Sequence, residues 1–134
     1  MFLFKVIKKI SAYYKKYELR CQNEILISSI VKSGGVVGQH VKFGRDVVIS
    51  HTSSAIIGNN VHIGTNCFIR AGGGLTIGNN VIISRNIILY TGSHNYKGEL
   101  LPFDNTSISK PVIIEDNVWI GTNVTIAPGT IIRE

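Results

Sequence analysis

From Val37 onward, apolar residues return at a fixed interval: Val37, Phe43, Ile49, Ile57, Ile63, Ile69, Ile77, Ile83, Leu89, Ile114, Ile120, Ile126 and Ile132. Several units are near-copies, I-G-N-N-V-H at 57–62, I-G-T-N-C-F at 63–68, I-G-N-N-V-I at 77–82 and I-G-T-N-V-T at 120–125. The steps between leading residues are 6, 6, 8, 6, 6, 8, 6, 6, 25, 6, 6 and 6, so the excess always falls after a third hexad. Three hexads therefore predict one turn of a triangular coil with a short strand on each face. Successive turns stack in parallel, and like positions form ladders through the interior. The long step predicts a loop at about 90–112, leaving from the corner that carries the smaller excesses.

Two further columns give the coil its detail. The fifth hexad position holds Val41, Val47, Val61, Cys67, Val81, Ile87, Val118 and Val124, small or β-branched residues that are expected to point inward with the leading aliphatics. Cys67 is thereby a core residue, and a buried apolar setting disfavours its thiolate. The fourth position reads His40, Asp46, Thr52, Asn60, Asn66, Gly72, Asn80, Asn86, Gly92, Asn117, Asn123 and Gly129. Asn, Asp and Gly dominate it, as a left-handed backbone at a tight corner requires.

The first 33 residues follow another period. Leu3, Val6, Ile10, Tyr13 and Tyr17 recur at three- and four-residue steps with lysines between them, which predicts an amphipathic helix. The pattern extends toward Ile30, and Ser33-Gly34-Gly35 ends it. Residues 1–33 are expected to cap one end of the prism, and residues 34–134 to form it. Lysines break every apolar run, so the segment is not a signal peptide, and no stretch is long enough to cross a bilayer.

Charge follows this division. The chain of 134 residues has a formal charge of +6, yet residues 1–20 alone hold six bases against Glu18, and the remainder is nearly neutral. Such a body argues against nucleic-acid binding over the whole surface. At most a weak, salt-sensitive membrane contact is expected from the helix, through Phe2, Leu3 and Phe4 with the lysines on anionic headgroups. Charged residues make up only 16% of the chain, which leaves faces able to pack against other copies. Two cysteines exclude a disulfide framework. His40, His51 and His62 fall in different hexad columns, so no metal site is expected.

The hexads and the stretch from Leu89 to Ile126 resemble the hexapeptide-repeat acyltransferases, most nearly the sugar O-acetyltransferases of the galactoside and maltose type and their capsule- or O-antigen-modifying relatives. The resemblance covers residues 37–132. It implies an all-β left-handed parallel β-helix preceded by an α-helical segment, acetyl-CoA as co-substrate without a metal, a homotrimer with sites between neighbouring prisms, and a cytoplasmic location reaching at most the inner face of the membrane. The implied reaction is acetyl transfer from acetyl-CoA to a sugar hydroxyl in cell-surface polysaccharide synthesis.

Transfer to a hydroxyl needs a group that removes its proton as attack occurs, and a neutral imidazole suits that task. His94, in T-G-S-H at 91–94, is the histidine where the repeat opens into the loop, and the resemblance makes it the catalytic base. Tyr90, Ser93 and Asn95 flank it and would shape the pocket. Trp119 sits in a sixth hexad position whose varied occupants suggest an outward side chain, either lining the acceptor pocket or packing against the loop. By resemblance, Thr122 offers a backbone N–H to the thioester oxygen and Asn66 contacts the acceptor, although Asn66 is equally a corner residue.

Arg70 and Ala71 depart from the acidic residues that the sugar enzymes place beside the acceptor. The chain also ends at Glu134, where relatives run on through further coils that hold the coenzyme, so it reads as C-terminally truncated. Two alternatives accompany the main reading: an inactive truncated β-helix serving as a scaffold or assembly module, and an acetyltransferase acting on an amino-acid or antibiotic hydroxyl.

Overall fold

The computed structural model describes residues 2–102 and 104–134; the Phe2 side chain, counted above among the lipid-facing groups, lies outside that description. Among the described residues a helix, α1 (Phe2–Lys32), is followed by fifteen short strands. The first coil is β1 (Val36–Val37), β2 (Lys42–Phe43) and β3 (Val48–Ser50), and the second is β4 (Ala55–Ile57), β5 (His62–Ile63) and β6 (Phe68–Arg70). The third coil is β7 (Leu75–Ile77), β8 (Ile82–Ile83) and β9 (Ile88–Tyr90). An inserted pair, β10 (Gly92–His94) and β11 (Ser107–Ser109), precedes the fourth coil of β12 (Val112–Ile114), β13 (Trp119–Ile120) and β14 (Thr125–Ile126); β15 (Ile131–Ile132) opens a fifth.

Three parallel sheets result, ordered β1-β4-β7-β12-β15, β2-β5-β8-β13 and β3-β6-β9-β14. Each links equivalent strands of successive coils in register, for example Ile57 with Ile77 and Ile63 with Ile83. The chain is thus an N-terminal helix followed by a parallel β-solenoid of about five turns, as the hexads predict.

Inside, the leading and fifth-position residues form the core. Ile57, Ile63, Ile69, Ile77, Ile83, Leu89 and Ile114 are buried, and so are Val61, Cys67, Val81 and Ile87. Sixth-position residues point out because alternate strand residues face opposite sides of a sheet. At the corners, His40, Asp46, Asn60, Asn66, Asn80, Asn86, Asn117 and Asn123 all have φ between 55° and 61°. Their amides stack into ladders, Asn60 to Asn80 to Asn117 (3.0 and 3.1 Å) and Asn66 to Asn86 to Asn123 (2.9 and 3.0 Å).

The third corner differs from the fourth-position rule. In the first two coils its left-handed residues are His51 (φ 58°) and Gly74 (φ 100°), not Thr52 or Gly72, and Gly92 opens the insertion; in the fourth coil, which has no surplus residues, Gly129 (φ 83°) keeps the fourth position. The two surplus residues widen this corner, so the reversal shifts out of hexad register.

Helix α1 ends where Gly34 takes φ 99° and Gly35 donates its N–H to the Ile30 carbonyl at 3.0 Å, closing the last turn. Its second half covers the first coil. Ile30 is fully buried, Leu26 and Ile27 pack on the core, and Asn23 meets the open edge of β2. The Asn23 amide donates to the Phe43 carbonyl at 2.7 Å and accepts its N–H at 2.6 Å, standing in for a missing neighbouring strand. The first half does not take part in this covering. Leu3, Ile7, Ile10, Tyr13, Tyr14 and Tyr17 are all more than half exposed. The amphipathic face read from 3–17 is therefore not the face that the prism buries. Among the described residues, no helix is long and apolar enough to cross a membrane.

Candidate functional site

The insertion is a β-hairpin arm rather than an irregular loop. Strands β10 and β11 run antiparallel, with Gly92 opposite Ser109, Ser93 opposite Ile108 and His94 opposite Ser107. The arm springs from the third corner, and Thr91 holds its root. Thr91 is the buried polar side chain among the described residues; its hydroxyl donates to the Arg70 carbonyl at 2.8 Å and accepts the Gly73 N–H at 2.7 Å. Gly73 has no alternative there, because a Cβ would collide with the Thr91 carbonyl. The Lys110 N–H returns to that same carbonyl at 2.9 Å, so the two ends of the arm are tied to one residue.

Between arm and prism lies an open cleft of about 710 Å³. His94, Ser93 and Tyr90 line it together with His51, Arg70 and Thr125. Tyr90 is half-buried with its ring 5.8 Å from that of Phe68 in the coil before, which fixes the wall of the cleft. His94 is exposed at the end of β10, and the Ser93 hydroxyl donates to the His94 carbonyl at 3.3 Å. The described lining contains one arginine, two histidines and no carboxylate, so the cleft favours neutral or anionic groups. Among the described residues no group of three or more His, Cys, Asp or Glu is placed to hold a metal ion.

The other residues singled out from sequence lie apart from this cleft. Asn95 belongs to the arm itself: its backbone N–H donates to the Thr106 carbonyl at 3.2 Å, its amide to the Thr106 hydroxyl at 3.0 Å, and its side-chain oxygen accepts the Lys97 N–H at 3.1 Å. The Asp104 carboxylate also binds Thr106, and the Thr106 hydroxyl and N–H that donate to it hold its pKa below the usual carboxylate value. Trp119 points outward, as its column suggests, but on the sheet of β2, β5, β8 and β13, where its indole N–H reaches Ser84 Oγ at 3.3 Å. Asn66 and Thr122 share a different corner, the one between that sheet and the sheet of β3, and the Asn66 amide is engaged in the corner ladder. One chain thus brings together His94, Tyr90 and Ser93, and leaves Asn66, Trp119 and Thr122 across the prism.

His51, Arg70 and Thr91 complete the cleft wall. A signal for Thr91 exists in the sequence: it takes the third hexad position held one coil earlier by Ala71, and a hydroxyl in a buried column needs a partner. Arg70 was marked by the resemblance as standing beside the acceptor, whereas His51 had no such mark, since its place depends on the widened corner.

A family model described as the hexapeptide repeat of succinyl-transferase matches residues 54–91 and 111–134, on either side of the arm. Among solved structures the chain is similar to a hexapeptide-repeat-containing acetyltransferase of Vibrio cholerae O1 biovar eltor complexed with acetyl coenzyme A. The two are 27% identical with a TM-score of 0.67, over 86% of this chain and 69% of that one. A second structure of the Vibrio cholerae acetyltransferase agrees, with a TM-score of 0.64 at 27% identity over 86% and 72% of the two chains. A mutant of AntD, an N-acyltransferase from Bacillus cereus in complex with dTDP-4-amino-4,6-dideoxyglucose and coenzyme A, shares the fold at 22% identity and a TM-score of 0.58, over 80% and 72%. No curated protein sequence matched. Repeat, coil geometry and these likenesses show a hexapeptide-repeat β-helical chain homologous to coenzyme-A-dependent acetyl- and acyltransferases, which supports transferase activity.

Proposed function

We propose that this acyltransferase moves an acetyl group from acetyl-CoA to a hydroxyl of a sugar, with His94 as general base. The observation that carries the reading is His94 itself, held over a cleft by a hydrogen-bonded arm in a fold homologous to an acetyltransferase complexed with acetyl coenzyme A. The His94 imidazole takes the acceptor's hydroxyl proton as the oxygen attacks the thioester carbonyl. The tetrahedral intermediate then expels the coenzyme A thiolate, which recovers that proton from the imidazolium. No acyl-enzyme is needed. Tyr90 and Ser93 wall the acceptor's side, and Arg70 suits an acceptor bearing an anionic group. A cytoplasmic placement goes with this donor.

A ring of three prisms would complete the site. Half-exposed apolar columns run down two faces, Val36, Ile56 and Ile131 on one and Val48, Phe68 and Ile88 on another. The site would then lie between neighbouring prisms, with His94 from the arm of one copy and Asn66 and Thr122 from the edge of the next. Thr122 would then offer its backbone N–H to the developing oxyanion. The test is coenzyme A thiol release by the full chain, with acetyl-CoA and a panel of sugar, amino-sugar, amino-acid and antibiotic acceptors. Acetylation of a sugar hydroxyl is expected. Failure to bind acetyl-CoA would overturn the reading in favour of a scaffold, and transfer confined to an amine or antibiotic would overturn its acceptor. Sedimentation should show trimers, and monomers alone at micromolar concentration would remove the interfacial site.

A further inference from the structure

We propose that the first half of α1 docks on an anionic lipid surface, lying in the plane of the membrane with the prism held on the opposite side. Successive helix residues turn by about 100°. On that wheel Asn23, Leu26, Ile27 and Ile30, the side chains that meet the prism, occupy a single arc roughly 100° wide. Lys5, Lys8, Lys9 and Lys16 fall on that same arc, and Lys15 at its margin. Leu3, Val6, Ile7, Ile10, Tyr13, Tyr14 and Tyr17 fill the other side, centred about 150° away. The helix therefore changes partner along its length. Its later turns press one arc onto the first coil, while its earlier turns show an aromatic and aliphatic stripe facing away from the prism.

That stripe is bare. Leu3 is 70% exposed, Tyr13 69% and Tyr14 66%, with Ile7 and Ile10 also more than half open. Tyr13 and Tyr17 alone border the groove between helix and prism. A second helix of the same kind fits poorly. Residues 2–17 contain five lysines and no carboxylate, so another copy brings like charge and nothing to pair with it.

A lipid surface matches both arcs. The stripe would sink about 5–10 Å to the boundary of headgroups and acyl chains. The lysines, one helix diameter above it, would then lie among the phosphates and reach them along flexible stems. Exposed Lys42 and Arg45 of the first coil line the same groove as Lys15 and Lys16, with Glu18 and Asp46 beside Arg45. The inference does not rest on the transfer reaction: the helix face is present whatever the acceptor.

The test is co-sedimentation of the full chain with vesicles of phosphatidylcholine alone and of phosphatidylcholine with phosphatidylglycerol. Binding is expected only with the anionic vesicles, weakening as salt is raised. An I7E/I10E variant should lose it while keeping the wild-type circular dichroism, because both side chains are exposed. Replacing Lys8 by Gln should weaken binding about fivefold, from about 1 kcal/mol per lysine near such a surface. Absent or equal binding to both vesicles, or binding unchanged in I7E/I10E, overturns the proposal. So does an I7E/I10E variant that alters only the sedimenting oligomer, which would assign the stripe to a second copy. Transfer activity is measured separately, so either result leaves the reaction's own test intact.

Discussion

Replacing Thr91 by Val tests how the arm is fixed to the coil. The substitution keeps the side-chain shape and removes only the hydroxyl, so no cavity forms. Two hydrogen bonds disappear, to the Arg70 carbonyl at 2.8 Å and from the Gly73 N–H at 2.7 Å. The Arg70 carbonyl keeps the Thr91 backbone N–H at 3.1 Å, but the Gly73 N–H is stranded beside a side chain only 1% exposed. A net hydrogen bond contributes about 1 kcal/mol, and a stranded buried donor costs about 1–3 kcal/mol. The expected loss is therefore about 2–4 kcal/mol. Thr91→Ser retains both bonds and sheds one methyl group, costing about 1 kcal/mol. Urea unfolding followed by circular dichroism reads both variants, and Ser93→Ala, exposed on the arm, serves as a control. A Val variant within about 0.5 kcal/mol of wild type, or a Ser variant as damaged as Val, would refute the account of the arm's root.

Four other substitutions and one labelling experiment address the coil. Asn80→Ala should cost about 1–3 kcal/mol, from left-handed strain and two lost ladder bonds, and Asn80→Gly should recover the strain; unfolding midpoints that rank them the other way would contradict the corner reading. Ile83→Ala, fully buried in the interior column, should cost about 2–5 kcal/mol. Its exposed neighbour Ile82→Ala should cost less than about 1 kcal/mol, and equal losses would break the inward-outward alternation. Burial pushes the Cys67 thiol up, and its Sγ–H donates to the Ser84 carbonyl at 3.2 Å, so a thiol reagent should label half-buried Cys21 first and reach Cys67 only on unfolding, even as pH is raised toward the ordinary thiol range. Equal native labelling rates would show that Cys67 is not in the core.

The coil was legible because its period is short and its constraints repeat. Each apolar column is buried, and each Asn corner demands the same backbone, so one hexad reports on all the others. Legibility fails where neighbours replace repetition. The third corner has extra residues, and which of them turns left-handed depends on how the next coil sits; hence His51 and Gly74 rather than Thr52 and Gly72. The arm's strands, G-S-H and S-I-S, are too short and polar to announce themselves, and their partners lie well apart in the chain, as His94 and Ser107 do. The helix shows the converse error. Its apolar period is real, but the prism takes the later arc of Leu26, Ile27 and Ile30, and the stripe at 3–17 is left for something else. Trp119 was readable as outward and not as to which face, since a column gives depth but not the company it keeps.

The most direct test of the central claim is turnover of acetyl-CoA by the His94→Ala variant on the best acceptor hydroxyl, with acetyl-CoA affinity measured alongside. If His94 is the base, kcat should fall by about 10²–10⁴-fold, the general-base contribution, while acetyl-CoA affinity stays near that of the wild type. Turnover within a few-fold of wild type would contradict the assignment and leave the arm as scaffold alone.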